Sequence, residues 1–322
     1  MKLKKADYLN YYEGLNPRCE SLTHHRRLLL FQKHTPEGPE KIYVLLGCNN
    51  RRICLNCGQL YSKTLYEPTR NLLLTLWRIF PQMEVAHIVL TVPHDHEFFL
   101  NPSKLNFNKL FRLANSFIKM CFPDTAALLV LHNWSSRNPE MPHLHIHCFI
   151  FGVTSEATLT HFWIDSDIIR ERWQEFLCYW RLPVVHIEYY YKHDAKKALH
   201  ALRYIYRSPI EDYCKDGERP LSREFLKLTY ELVGIHRFRY IGWLAPCHRK
   251  KVLEKLGIVE VTLKRHENWE YIGSWTVMLL PNTEYLIFPS GYSIRIDEVR
   301  TQEILRIKKV YRLLVEDQKI TV

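Results

Sequence analysis

The segment from Met141 to Gly152, MPHLHIHCFIFG, constrains the fold most. Imidazole alternates with an apolar side chain, and a period of two belongs to a β-strand, whose successive side chains leave on opposite faces. His143, His145 and His147 therefore share one face, and Leu144, Ile146 and Cys148 share the other. The apolar face needs cover, so the strand belongs in a layered domain. The imidazole face is a chelate for a divalent ion, and His132 on the preceding apolar run can add a ligand from a hairpin partner. Nitrogen donors leave the ion open between zinc, manganese and magnesium.

The surrounding pattern supplies the rest of the sheet. Val85 to Val92 reads as a strand stopped by Pro93. A helix is expected around Asn108 to Cys121, with Leu110, Phe111, Ala114, Phe117 and Ile118 on one face. Ala126 to His132 and Pro142 to Phe151 flank the polar loop WSSRNPE and pair as antiparallel neighbours. Asp167 to Trp180 reads as a helix, Val184 to Tyr191 as a strand, and Ala195 to Tyr206 as a helix capped by Asp194 and closed before Pro209. Another helix, Tyr66 to Phe80, has Pro68 near its start. This order implies an α+β fold, a central antiparallel sheet with helices packed over one face.

Three consecutive parts are expected: a cysteine-rich module over 1–65, the histidine domain over 66–215 and a basic accessory domain over 216–322. In the first, Cys48-x5-Cys54-x2-Cys57 with Cys19 upstream offers four thiolates to a structural zinc, and His24 or His25 could replace Cys19. Cys121, Cys148 and Cys178 lie in apolar surroundings and read as core residues. In the last part, HRKKVLEKLG reads as a basic helix, Trp275 to Leu280 and Glu284 to Phe288 as strands, and a terminal helix starts near Thr301. Lys and Arg number 45 against 34 Asp and Glu, a formal charge of +11 that favours a polyanionic partner. Neither an eighteen-residue apolar run nor a secretory h-region is present, which implies a cytoplasmic protein with no membrane partner.

The segment KKALHALRYIYRSPI puts Lys197, His200 and Tyr204 on one side of a helix. A phenol titrates near ~10 and needs a polarised electrophile, a nearby cation or a base to act as a nucleophile at neutral pH. His200 can take the phenolic proton, and Lys197 and Arg203 can hold phosphates. Tyr206 lies about 200° around the helix from Tyr204 and is a poor substitute, whereas Tyr189, Tyr190 and Tyr191 are further candidates. Arg51 and Arg52, and the run HRFRY over 236–240, are candidate DNA contacts, cations placed beside aromatic rings in the second case.

AHIVLTVPHD, LLVLHNWSSRNPEMPHLHIH and LRYIYRSPI together resemble, in order, the three motifs of the HUH endonucleases, the superfamily of rolling-circle replication initiators and rolling-circle transposases. The likeness is greatest to transposases of rolling-circle insertion sequences and covers roughly 19–255, from the cysteines to HRFRYIGWLAPCHRKKVL. It implies that His143 and His145 are the paired metal ligands with His132 as the third, and that Tyr204 forms a 5′-phosphotyrosine and releases a 3′-hydroxyl. Phosphodiester chemistry needs open coordination positions, which favours Mg2+ or Mn2+. The similar transposases carry two tyrosines four apart, and here His200 stands at the first place. One nucleophile implies a rolling-circle replication initiator, with a single-tyrosine transposase or a non-catalytic zinc-containing DNA-binding protein as alternatives. The implied substrate is single-stranded or hairpin DNA at an origin or element end. No GxxxxGK[ST] occurs, so an external helicase is expected.

Overall fold

The computed structural model describes residues 4–18, 25–45, 47–48, 50–264, 270–279, 285–287, 290, 293–295, 299–301 and 307–313. The strands in chain order are β1 (His25–Thr35), β2 (Gly38–Leu45), β3 (Val85–Thr91), β4 (Ala126–Trp134), β5 (Pro142–Phe151), β6 (Val185–Tyr190), β7 (Phe238–Ile241), β8 (Ile258–Lys264), β9 (Glu270–Leu279), β10 (Tyr285–Ile287), β11 (Ser293–Arg295), β12 (Val299–Thr301) and β13 (Ile307–Leu313). Two compact units form, one from 1–65, 207–226 and 262–309, the other from 66–206, 227–261 and 310–322. The segment after 215 is therefore not a separate domain. Its β7 joins the histidine sheet, and its β9 pairs with β1.

The second unit is a five-stranded antiparallel sheet in the order β6-β3-β5-β4-β7. One face, including Ile88, Leu90, Leu129, Leu131, Ile146 and Cys148, packs on the helices Lys104–Cys121 and Ser166–Leu177 through Phe111, Phe117, Ile169 and Trp173. Caps fix where these helices begin. Ser103 accepts the Asn106 amide at 3.2 Å, and Asp165 accepts the Asp167 amide at 2.7 Å. Each fully buried large apolar side chain contributes about 1.5–3 kcal/mol.

Helices cover both faces, where one was expected. The helix Ala195–Tyr206 lies over the histidine face, and His132 Nε2 meets the Ile205 carbonyl at 3.0 Å. The reason lies in β4, which is buried at every position and so has no face to give to water. Trp173 and Trp77 direct their indole N–H groups to the carbonyls of Thr91 and Met83, each at 2.9 Å.

Two other expectations change. Pro68 stands inside a helix running from Leu55 to Ile79, not near its start. A proline removes one backbone bond, and the long turns on either side carry the helix through it. The terminal helix expected from Thr301 is absent among the described residues. Val299–Thr301 and Ile307–Leu313 are strands, the latter rich in Ile307, Val310 and Tyr311, which suit a pleated surface.

The first unit has a six-stranded sheet in the order β11-β10-β9-β1-β2-β12. β1 turns into β2 at Gly38, whose φ of 123° favours glycine. A separate apolar cluster joins Leu9, Tyr12, Ile53, Cys54, Cys57 and Phe225.

Candidate metal centre

The β4–β5 register sets His132 directly opposite His145, and His147 follows two residues along the same face. One ligand atom from each of the three lies within 4.8 Å of the others. They are 1%, 5% and 3% exposed. His145 Nδ1 meets the His143 carbonyl at 2.8 Å, and His132 Nε2 meets that of Ile205. A nitrogen that donates to a carbonyl leaves the other with its lone pair, which assigns Nε2 of His145 and Nδ1 of His132 as ligand atoms. His145 Nε2 and His147 Nε2 are 3.1 Å apart.

Burial is the first cause that lowers the pKa of all three. The neighbouring imidazoles lower them further, and His145 falls to about 3. The cluster thus stays neutral and offers lone pairs, the form that a metal ion requires.

His143 lies outside this group, although the resemblance to the HUH endonucleases implies that it pairs with His145. It is half-buried near the start of β5, its ring 4.8 Å from that of His145 and 6.2 Å from that of His94. The spacing His-x-His occurs twice in HLHIH, so the cross-strand register, which the sequence does not specify, decides which pair faces His132. His87 on β3, which the sequence does not single out as a site residue, also joins the histidine face. Its Nε2 lies 3.0 Å from His147 Nδ1, with the rings stacked at 5.2 Å, and burial lowers its pKa to about 4. The signal was present: His87 is a polar residue inside the apolar run AHIVL.

Tyr204 lies over the cluster. Its ring centroid is 5.7 Å from that of His147 and 6.3 Å from that of His132. Tyr204, His200 and Lys197 line one cavity of about 570 Å³, so the structure brings the three expected helix residues together. His200 and Lys197 are exposed, and Lys197 Nζ pairs with Asp194 at 3.3 Å. Tyr206 is fully buried, its hydroxyl 2.6 Å from that of Thr69 and 3.1 Å from that of Tyr240. Tyr189 donates to the Ile164 carbonyl, and Tyr190 donates to Glu188 in the wall of the cavity.

The second candidate cluster joins Cys48, Cys54 and Cys57. Cys54 precedes the Leu55–Ile79 helix and Cys57 occupies its first turn, where the helix dipole favours thiolates. Cys48 Sγ and Cys57 Sγ lie 3.7 Å apart. Cys19, His24 and the side chain of His25 fall outside the described residues. Cys148 is a core residue as expected and Cys121 packs against the core, but Cys178 is exposed at the left-handed end of its helix.

Several cations read as DNA contacts also make contacts within the protein. Arg51 stacks over Tyr61 at 3.9 Å, Arg237 over Trp134 at 5.0 Å, and Arg239 over Phe111 at 4.2 Å. Arg239 also donates to Asn108. Compared with known proteins, the chain matches no family model, no curated protein and no solved structure. Among the described residues, no helix is long and apolar enough to cross a membrane.

Proposed function

We propose that this protein nicks and rejoins single-stranded DNA through a 5′-phosphotyrosine on Tyr204, in the manner of the HUH endonucleases. The observation that carries the reading is the placement of the Tyr204 ring over the neutral His132, His145, His147 cluster, 5.7 Å from His147. A divalent ion on these imidazoles, Mg2+ or Mn2+, would polarise the scissile phosphate and keep positions open for its oxygens. The 3.1 Å between the Nε2 atoms of His145 and His147 is close to the ~3 Å that separates adjacent ligands with bonds of ~2.1 Å.

The Tyr204 phenolic oxygen attacks phosphorus, the bond from phosphorus to the 3′-oxygen breaks, and the 3′-oxygen leaves as a hydroxyl after taking a proton. His200, on the same cavity, accepts the phenolic proton, and Lys197 holds a neighbouring phosphate. In the reverse step a 3′-hydroxyl attacks phosphorus, loses its proton, and the phenol is restored. Cleavage and rejoining therefore need no external energy source.

The cysteine cluster fits Zn2+. Two thiolates on tetrahedral zinc with bonds of ~2.3 Å lie about 3.8 Å apart, and Cys48 and Cys57 are 3.7 Å apart. Cys19 would complete the set, with His24 or His25 as its substitute.

A single tyrosine suits a rolling-circle replication initiator working with an external helicase on single-stranded or hairpin origin DNA. The cysteine cluster favours a second reading, a one-tyrosine transposase acting at element ends, because the resemblance to such enzymes includes a cysteine-rich start. The test of the shared chemistry is cleavage of labelled single-stranded DNA with added Mn2+. Wild type should cut, and Tyr204→Phe should bind DNA without cutting. Equal cutting by both proteins would refute the assignment, and freely released 5′-phosphate ends would point to a hydrolase.

A further inference from the structure

We propose that the cavity beside Tyr204 is a nucleotide subsite that selects guanine through Glu188, an inference that rests on the nicking reading and names its specificity residue. β6 is an edge strand, so the cavity opens at the rim of its sheet. His186, Glu188 and Tyr190 alternate along β6 and form one wall, while Lys196, Lys197 and His200 from the neighbouring helix form the other. At about 570 Å³ the space lies within the range of small-ligand pockets, ~300–1,000 Å³, and suits one nucleotide of a strand.

The two walls have different chemistry. Lys196 and Lys197 supply point charges for backbone phosphates next to the one at Tyr204. Opposite them, Glu188 is held in place because the buried Tyr190 donates its hydroxyl to Glu188 Oε2. A carboxylate has about four lone-pair sites, so this bond leaves capacity for a base. The Watson–Crick edge of guanine presents two adjacent donors, N1–H and N2–H, which match a carboxylate. Adenine and cytosine each offer one amino group beside an acceptor nitrogen. Thymine offers one N–H between two carbonyls, which the carboxylate repels. The expected order is therefore guanine first, adenine and cytosine next, and thymine last. Imidazole faces from His186 and His200 provide stacking surfaces.

The probes are fluorescein-labelled oligothymidylate and the same strand with one central dG, dA or dC. Each is titrated by anisotropy with the full chain without added Mg2+ or Mn2+. The dG strand should bind about tenfold more tightly than oligothymidylate, the effect of one good paired contact. Glu188→Gln should bring that ratio within twofold and strengthen oligothymidylate binding, because the carboxylate that repels thymine's carbonyls is gone. Tyr190→Phe, which frees the carboxylate, should reduce the ratio with Glu188 still present. Replacing Lys196 and Lys197 by Ala should weaken all four strands alike. A wild-type ratio under twofold, or a ratio that survives Glu188→Gln, overturns the subsite. Binding preference needs no covalent step, so the two readings fail separately. A guanine preference without a Tyr204 adduct would strike the nicking reading alone, and an adduct without the preference would strike the subsite alone.

Discussion

Replacing His87 by Phe isolates the contact that orients His147. Phe keeps an aromatic ring at the stacked position seen at 5.2 Å and removes both imidazole nitrogens, among them Nε2, which lies 3.0 Å from His147 Nδ1. With His147 coordinating through Nε2, its Nδ1–H donates to His87 Nε2, and the substitution leaves that donor buried without this partner. Such a loss costs about 1–3 kcal/mol, and ~1.4 kcal/mol is a factor of ten. Loss of a hydrogen bond to a metal-ligating histidine typically lowers metal affinity by about 10–100-fold. Mn2+ titration calorimetry on protein with its cysteine site zinc-loaded should therefore show at least about a tenfold weaker Kd for His87→Phe. His87→Gln, which can accept the bond, should recover part of it. Thermal midpoints check that both variants fold. A Kd for His87→Phe within twofold of wild type would refute the orienting role.

Two further substitutions and a change of pH test the cysteine cluster and the histidine core. Gly58→Ala places a Cβ 2.5 Å from Ser208 Oγ and 2.7 Å from Ile210 Cγ2, and should cost about 1–3 kcal/mol in a urea melt; no loss would contradict the packing of the cysteine unit. Cys19→Ser should lower zinc content by mass spectrometry more than His24→Ala does, since the Pro17 carbonyl, two residues before Cys19, accepts the Leu55 amide beside Cys54 at 2.9 Å; the reverse order would assign the ligand to His24. For pH, His87, His132, His145 and His147 are all held below 6.5 by burial. The unfolded chain takes up protons first as pH falls, so stability is whole above about pH 7 and drops through ~6.5, by up to ~1.4 kcal/mol per pH unit for each imidazole. The urea midpoint of protein without added Mg2+ or Mn2+ should be clearly lower at about pH 5.5 than at about pH 7.5, and equal midpoints would contradict the buried neutral cluster.

Much of the histidine sheet was legible because its signals are local. Alternation gave β5 with its observed bounds, and helical periodicity with a following proline gave Ala195–Tyr206. The face carrying the candidate metal ligands was legible for the same reason. The choice of His147 over His143 was not, because it depends on how β5 registers against β4. β7 was hidden by its charges: Arg239 reads as a surface cation until its partners, Phe111 and Asn108, are brought to it by the fold. The discontinuous units were equally hidden, since the pairing of β9 with β1 joins stretches more than two hundred residues apart and leaves no local trace.

On the proposed function, Tyr204 becomes covalently attached to DNA. The direct measurement incubates the protein with Mn2+ and a single-stranded oligonucleotide library. Complexes that survive a denaturing gel are recovered, and the peptide carrying the nucleotide is sequenced by mass spectrometry. The expected result is a 5′-phosphate on Tyr204 and no adduct from Tyr204→Phe. An adduct on another residue, or cleavage with no adduct at all, would contradict it.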